Sequence, residues 1–439
     1  MPRLSLIVLL ALLPHPAPAA DAPARWPHWR GPLANGSAPG ATPPLKWDDR
    51  TNVAWKAPLP GRGASTPIVW GDQVFLLTAI DTGRKADPKD LPAKADAKFE
   101  KKTTAPDTYH QFVVLAYDRK TGREIWRRTV AERVPHEGHH FSHSYAAGSP
   151  TTDGRRLYVS FGSFGVFALS LDGKLLWSRD LGRMETRLGW GEASTPVVHD
   201  GKLFLTWDHE GASFMTALDA ETGKTLWKVD RDEPTSWATP LVVTHNGRTQ
   251  VITPGTRHVR SYDAADGKVL WTGEGLTVNC IPSPVLYGDS AIVMAGYRGS
   301  KGAAIALDAS GDVTGSDKVR WTISKATPYV PSPALAGDRL WFTQTNDGLV
   351  TSVDVKTGKV VIDRARLSML NSLYASPLAA AGRIYLTSRD GVTAVIRQAD
   401  KLDVLAVNQL GEAVDASPVA VGKQLFLRGD KHLWCFEER

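Results

Sequence analysis

The chain has 439 residues, of which 42% are hydrophobic and 22% are charged, and this supply of apolar side chains excludes a disordered protein. A net charge of +6, from 52 basic and 46 acidic residues, is too small a surplus to indicate nucleic-acid binding. The two cysteines, Cys280 and Cys435, form no CxxC pair, which excludes both a disulfide framework and a cysteine zinc site.

Residues 1–20 have the features of a secretory signal peptide. Arg3 supplies a positive charge, residues 4–13 form a short, largely apolar run, and Ala17-Pro18-Ala19 is an A-x-A cleavage pattern. A bilayer span needs about 20 apolar residues, so the sequence predicts no transmembrane segment. We expect an exported, monomeric protein of the periplasm or cell envelope, in which residues 21–50 form an extended N-terminal segment.

A small residue followed by proline recurs along the rest of the chain. After a first interval of 83 residues, the step returns every 41–49 residues. Most units then show an apolar run, a turn, a second run, a third run ending near aspartate, a Thr-Gly or related turn and a tryptophan. The steps are Thr66-Pro67, Ser149-Pro150, Thr195-Pro196, Thr239-Pro240, Ser283-Pro284, Ser332-Pro333, Ser376-Pro377 and Ser417-Pro418.

Four short strands in each period of about 40–45 residues predict the blades of a β-propeller. Eight steps predict an all-β, eight-bladed propeller of four-stranded antiparallel blades over residues 51–439, with a loop insertion at residues 80–109 in blade 1. The alternative is an open β-solenoid or stacked sandwiches, which fits poorly because the coils of solenoids repeat at shorter periods. The last unit ends after three strands, so we expect the strand at residues 52–56 to complete the eighth blade and close the ring.

Six tryptophans occupy the same place on the outermost strand of a unit. A buried indole covers about 150–250 Å², so we interpret them as structural residues that dock each blade on the next. Blade 6 offers Ile362 at this place and blade 7 has no tryptophan, which predicts weaker junctions there. The six are Trp55, Trp126, Trp177, Trp227, Trp271 and Trp321.

This repeat, with Asp-x-x-Thr-Gly-x-x-x-Trp at its centre, resembles the PQQ-like (pyrroloquinoline-quinone repeat) β-propellers. The opening residues 26–32, WPHWRGP, are similar to the start of exported BamB-like propellers. The family includes quinoprotein alcohol dehydrogenases, which implies PQQ with Ca²⁺ in the central funnel. It also includes the BamB-like scaffold of outer-membrane β-barrel assembly, which implies an envelope protein or peptide as partner. The dehydrogenases carry adjacent cysteines and long functional insertions, whereas Cys280 and Cys435 are single and the chain has little length beyond its blades.

Two groups of residues are candidate sites on the face of the propeller that surrounds the mouth of the central channel. The first could bind a carboxylate-bearing planar cofactor, although arginines that only hold turns and tryptophans that plug the channel would leave the same pattern. It comprises Arg187, Trp190, Trp237, Arg257, Arg298 and Arg389. The second could ligate Zn²⁺, although an ordinary solvated loop is the alternative. It comprises His136, His139, His140, His143, Asp208 and His209.

Compact catalytic motifs are absent from the sequence: there is no G-x-S-x-G, P-loop, G-x-G-x-x-G or C-x-x-C-H. Catalytic residues are therefore not identified. The sequence favours a non-enzymatic, BamB-like scaffold that binds a protein or ligand. A PQQ-dependent quinoprotein oxidoreductase is the alternative, and metal-dependent hydrolysis at the histidine loop is a third hypothesis.

Overall fold

The computed structural model describes residues 25–92, 100–193 and 195–438, so the predicted signal peptide lies outside the described residues. The described residues form eight antiparallel blades of four strands each, which confirms the predicted eight-bladed propeller. They include no α-helix and one short 3-10 helix, Gly162–Phe164. Within this part of the chain, no helix has the length and apolar character that a bilayer crossing requires.

The four strands of each blade lie side by side, from an inner strand at the channel to an outer strand at the rim. Blade 1 comprises β3 (Ile68–Trp70), β4 (Gln73–Lys85), β5 (Thr108–Asp118) and β6 (Glu124–Arg133), and blade 2 comprises β7 (Thr151–Thr152), β8 (Arg156–Ser160), β9 (Val166–Ser170) and β10 (Leu175–Arg179). Blade 3 comprises β11 (Val197–His199), β12 (Lys202–Trp207), β13 (Phe214–Asp219) and β14 (Thr225–Asp230), and blade 4 comprises β15 (Leu241–His245), β16 (Arg248–Thr253), β17 (His258–Asp263) and β18 (Val269–Glu274). Blade 5 comprises β19 (Val285–Tyr287), β20 (Ser290–Ala295), β21 (Lys301–Ala306) and β23 (Val319–Ile323), and blade 6 comprises β24 (Ala334–Ala336), β25 (Arg339–Thr343), β26 (Leu349–Asp354) and β27 (Val360–Arg366). Blade 7 comprises β28 (Leu378–Ala380), β29 (Arg383–Thr387), β30 (Val392–Arg397) and β31 (Val404–Gln409), and blade 8 comprises β32 (Val419–Val421), β33 (Gln424–Arg428), β34 (His432–Phe436) and β2 (Val53–Pro58). Two short strands are additions to this plan: β1 (Arg25–Trp26) pairs with β3, and β22 (Gly311–Asp312) pairs with the outer strand β18.

Strands from both ends of the chain close the ring. β2 pairs antiparallel with β34, in a register that places Val53 opposite Phe436 and Pro58 opposite His432. This pairing confirms the predicted completion of blade 8. The buried guanidinium of Arg428 strengthens the closure, because its Nη1 donates to the carbonyl oxygens of Ser65 and Leu77 in blade 1, at 3.1 and 2.7 Å.

The outer-strand tryptophans lie between neighbouring blades. The indole Nε1 of Trp55 donates to the carbonyl of Arg119 at 2.8 Å, and Trp126, Trp177, Trp227 and Trp321 make the same bond to their next blade. The glycine of each Thr-Gly turn packs on such an indole. Gly122 shows why glycine is needed: its φ is +70°, and a Cβ there would lie 2.5 Å from the Trp55 ring. Trp271 differs, since it donates to Gln250 of its own blade.

An indole from outside the repeats fills the junction between blades 7 and 8. Ala406 holds the tryptophan position in blade 7, and Trp47 of the N-terminal segment is buried nearby. The Trp47 ring lies 6.1 Å from that of Tyr385 in blade 7 and 5.6 Å from that of Phe436 in blade 8. Its backbone N–H donates to the side-chain oxygen of Asn408, at 3.0 Å.

Residues 25–42, which we call the plug, cross the central channel. They bond to the inner strands or their flanking turns in blades 1, 2, 4, 6, 7 and 8. The predicted extended segment is therefore wrong for residues 28–36, which turn because Gly31 and Gly36 adopt positive φ. The buried guanidinium of Arg30 donates to the carbonyls of Pro333 and Pro377, which ties the plug to blades 6 and 7.

Candidate functional site

A belt of hydroxyl groups surrounds one end of the channel. In seven of the Ser/Thr-Pro steps, the backbone N–H of the first residue donates to the hydroxyl oxygen of the corresponding residue in the next blade, at 2.9–3.1 Å. The last of these bonds runs from Ser417 to Thr66 and so crosses the ring closure. A residue before proline is held in an extended conformation, which aims each N–H at its neighbour. The repeated step is thus an inter-blade hydrogen-bond circuit.

Inside this belt lies a cavity of about 420 Å³. Trp29 of the plug forms part of its lining, and the indole of Trp29 donates to the Thr239 hydroxyl at 3.2 Å. The remaining aromatic lining comes from several blades: Trp190, Trp237, Tyr297, Tyr329 and Tyr374. Trp237 is fixed by a 2.7 Å bond from its Nε1 to the carbonyl of Gly191.

The cavity lining carries little net charge. Among the described lining residues the single carboxylate is that of Asp415, and Arg389 binds both of its oxygens, at 2.6 and 3.2 Å. His143 is neutral because burial, with the charges of His139 and His140, lowers its pKa to about 3. The His143 Nε2 is buried, next to the backbone of Gly191.

The residues predicted to bind a cofactor are only partly brought together. Trp190 and Trp237 line the cavity, whereas Arg257 and Arg298 are exposed. The guanidinium of Arg298 lies 5.3 Å from the centre of the Tyr297 ring. Arg187 is half-buried, with its Nε lacking a partner among the described residues. These contacts do not bring the arginines together into the ring of unpaired guanidinium groups that a carboxylate-rich ligand would need.

The residues predicted to bind a metal are dispersed in the structure. Asp208 is fully buried in a pair with Arg231, with an Oδ1 to Nε distance of 2.7 Å. The Nδ1 of His209 accepts from the backbone N–H of Glu185 at 3.1 Å. His139 and His140 make local contacts within their own loop, with the His140 carbonyl and the Ser142 hydroxyl respectively, and His143 faces the cavity described above.

A different group forms around His136, the remaining member of that set. Among the described residues, His136, Glu137 and Glu192 are the group whose potential ligand atoms all lie within 4.8 Å of one another. Burial raises the pKa of Glu192 to about 8, against the effect of its hydrogen bonds from Ser163. Glu137 lies in the histidine-rich loop before blade 2, and Glu192 lies in the loop before blade 3 that contains Trp190. Both loops are unusual in composition. Sequence spacing gave no signal for the meeting of the two glutamates, because 55 positions separate them.

Part of the blade 1 insertion covers this group. Lys101 bridges to Leu188 as a parallel β-bridge, and the hydroxyl of Thr103 donates to the carbonyl of Gly189 at 2.6 Å. The Lys101 ammonium contacts both Glu137 and Glu185. The described residues 100–107 therefore pack on the loop that leads into blade 3.

Comparison with known proteins identifies similarity in sequence and similarity in structure. A family profile described as outer membrane protein assembly factor BamB matches residues 110–235, 165–323 and 216–439. The outer membrane protein assembly factor BamB of Yersinia pestis is 28% identical over 123 residues, which are 28% of this chain and 28% of that protein. The chain thus aligns with less than a third of the length of that curated relative.

Two solved structures share the architecture. BamB from Moraxella catarrhalis superposes with a TM-score of 0.53 and 14% identity, over 83% of this chain and 98% of that one. A quinohemoprotein alcohol dehydrogenase from Comamonas testosteroni superposes with a TM-score of 0.63 and 11% identity, over 94% of this chain and 80% of that one. At these identities the likeness shows the fold alone.

Proposed function

From the premise that the chain belongs to the BamB family of PQQ-repeat propellers, we propose that it is an exported, non-enzymatic scaffold that binds a protein or ligand at the channel mouth. The predicted signal peptide and the BamB name of its relatives support a place in the periplasm or cell envelope. An envelope protein or peptide is the proposed partner.

The observation that carries this proposal is the aromatic cavity backed by the plug. Its volume of about 420 Å³ lies within the range of about 300–1,000 Å³ that is usual for ligand sites. Because Arg389 neutralises the lining carboxylate Asp415, the cavity suits an aromatic or apolar group better than a charged one. Phe141 is 78% exposed and its ring lies 4.3 Å from that of His140, which lines the cavity. This exposed ring adds apolar surface for a partner beside the cavity.

A peptide titration tests the scaffold proposal. Fluorescently labelled decapeptides with a central phenylalanine or tryptophan are titrated into the mature chain, with the matched alanine peptides as the comparison. We expect the aromatic peptides to bind at least tenfold more tightly, and Trp190→Ala to remove most of that difference. Leu33→Ala is the control, since Leu33 is 54% exposed and does not line the cavity. Equal binding of aromatic and alanine peptides would contradict the proposal.

The second candidate is a PQQ-dependent quinoprotein oxidoreductase. It is favoured by the tryptophans that line the cavity and by the architecture shared with a quinohemoprotein alcohol dehydrogenase. The polar lining fits PQQ with Ca²⁺ poorly, because Asp415, the one carboxylate among the lining residues that the structure describes, is held by Arg389. Cys280 and Cys435 are each buried and unpaired, so neither supplies the adjacent cysteine pair of the dehydrogenases.

Reconstitution distinguishes the two candidates. The purified mature chain is titrated with PQQ and Ca²⁺ while the absorption spectrum and dye reduction with alcohols are followed. The scaffold proposal expects neither a stoichiometric chromophore nor dye reduction. Robust reduction would replace the scaffold proposal by the oxidoreductase.

A further inference from the structure

We infer that His136, Glu137 and Glu192 form a binding site for one divalent transition-metal ion, separate from the aromatic cavity. The three side chains come from two loops: His136 and Glu137 from the loop between β6 and β7, and Glu192 from the loop between β10 and β11. Their potential ligand atoms lie within 4.8 Å of one another. The exposed fractions of these side chains are 7%, 6% and 10%.

The charge balance of this buried group favours a cation. Glu137, Glu185 and Glu192 contribute three carboxylates, and Lys101 is the ammonium that contacts two of them. With the three glutamates in the ionised form that binds a metal, and Lys101 as their counter-charge, the group carries a net charge of −2. A buried ionised carboxylate without a partner is strongly unfavourable. One divalent ion would bring the group to neutrality.

Neighbouring groups hold the three potential ligands in place. Glu192 accepts from the backbone N–H and the hydroxyl of Ser163, both at 2.6 Å. Glu137 accepts from the hydroxyl and the backbone N–H of Thr186. The Nε2 of His136 lies 2.7 Å from the carbonyl oxygen of Met184 and 3.9 Å from Oε1 of Glu192, so the Met184 carbonyl fixes the orientation of this imidazole. Such outer contacts commonly orient the ligands of metal sites.

A void of about 20 Å³ is lined by all three residues. A cavity of roughly 10–15 Å³ is enough for one water molecule, so this void accommodates a single ion or water and excludes an organic ligand. Phe161 and Phe164 form apolar walls. Residues of the blade 1 insertion pack directly against the loop that carries Glu137, because a Cβ on Gly138 would lie 2.6 Å from the Thr104 carbonyl oxygen. The site would thus be a small, mostly buried pocket for an ion between blades 2 and 3.

The donor set limits the choice of ion. One imidazole and two carboxylates suit Zn²⁺ and other first-row transition metals better than Ca²⁺, which prefers six to eight oxygens. Zinc binds nitrogen and oxygen ligands at about 2.0–2.2 Å, so the loops would draw together slightly on binding. Three protein ligands would leave a fourth position for water.

Metal titration of the mature chain tests this inference. After treatment with a chelator, the protein is titrated with Zn²⁺ by calorimetry, and bound metal is counted by elemental analysis. Co²⁺ serves as a spectroscopic substitute, because four-coordinate Co²⁺ gives a strong visible absorption. We expect one equivalent of Zn²⁺, a four-coordinate Co²⁺ spectrum, and no comparable uptake of Ca²⁺.

Variants assign the metal to these residues. Glu192→Gln keeps an oxygen that accepts from Ser163 but loses the charge, and it should weaken Zn²⁺ binding at least tenfold, as should His136→Gln. His140→Gln is the matched control from the same loop and should bind as the wild type does. Circular dichroism of the metal-free variants checks their folding, and Glu192→Gln alone suffices if His136→Gln does not fold. Absence of stoichiometric Zn²⁺, or unchanged binding in Glu192→Gln, would overturn the inference, and neither result bears on the scaffold proposal.

Discussion

Replacing Trp47 by alanine tests whether the N-terminal segment supplies the indole that blade 7 lacks. Trp47 is 3% exposed and contacts both blades at this junction, through Tyr385 and Phe436. Truncating a buried tryptophan to alanine costs about 3–5 kcal/mol. The Asn408 bond is made by the backbone of residue 47 and can persist, so we expect the loss to come from packing and to fall within this range.

Urea unfolding followed by far-UV circular dichroism measures the effect. Trp47→Ala should lower the free energy of unfolding by about 3–5 kcal/mol, and Trp47→Phe by less, because it keeps an aromatic ring between the blades. Leu33→Ala, at a site that is 54% exposed, should change it by no more than about 0.5 kcal/mol. A loss below about 1 kcal/mol in Trp47→Ala would show that this indole does not hold blades 7 and 8 together.

Three further predictions concern the belt, a buried ion pair and the plug. Ser376→Ala should destabilise the fold by about 1–3 kcal/mol in urea unfolding, because the buried N–H of Ser332 loses its acceptor. Ser376→Thr keeps a hydroxyl, and a loss as large as that of the alanine variant would argue against the belt. Arg231→Met should cost about 3–5 kcal/mol by leaving the buried carboxylate of Asp208 unpaired, and much of that loss should return in Arg231→Met/Asp208→Leu; a double variant no more stable than the single one would refute this explanation. Burial, with a nearby guanidinium, lowers the pKa of His28 to about 3, so the unfolded chain binds more protons and stability should fall by roughly 1–2 kcal/mol as the pH drops from about 6.5 to 5. Thermal unfolding across this range should show a shallower decline in His28→Gln, and an unchanged decline would contradict the assignment.

The fold was largely predictable because its determinants repeat along the chain. The Ser/Thr-Pro step marks each blade, and the glycine turn and the outer-strand tryptophan recur in most of them, so blade number follows from counting the steps. The completion of blade 8 followed from an incomplete last unit and an unassigned strand at residues 52–56. Residue types and spacing were sufficient for these conclusions, since each blade is built from local contacts.

The candidate sites were less predictable because their contacts join separate blades. Glu192 belongs with His136 only because blades 2 and 3 are neighbours and their connecting loops lie on the same face. Asp208 seemed available as a ligand, yet the ring places Arg231 against it at 2.7 Å. A histidine-rich loop predicts metal chemistry by composition, whereas backbone and hydroxyl partners decide where each imidazole points.

The plug links the stability of the ring to its binding surface. The inner strands of blades 6 and 7 present small side chains, including Ala334 and Ala379, which leave room for a chain segment in the channel. The plug occupies that room, tied by Arg30 to the proline carbonyls of these two blades. Trp29, one residue away, then lines the aromatic cavity. One wall of the proposed binding site is therefore supplied from outside the repeats, so propellers with the same blades and a different N-terminal segment would differ at that wall.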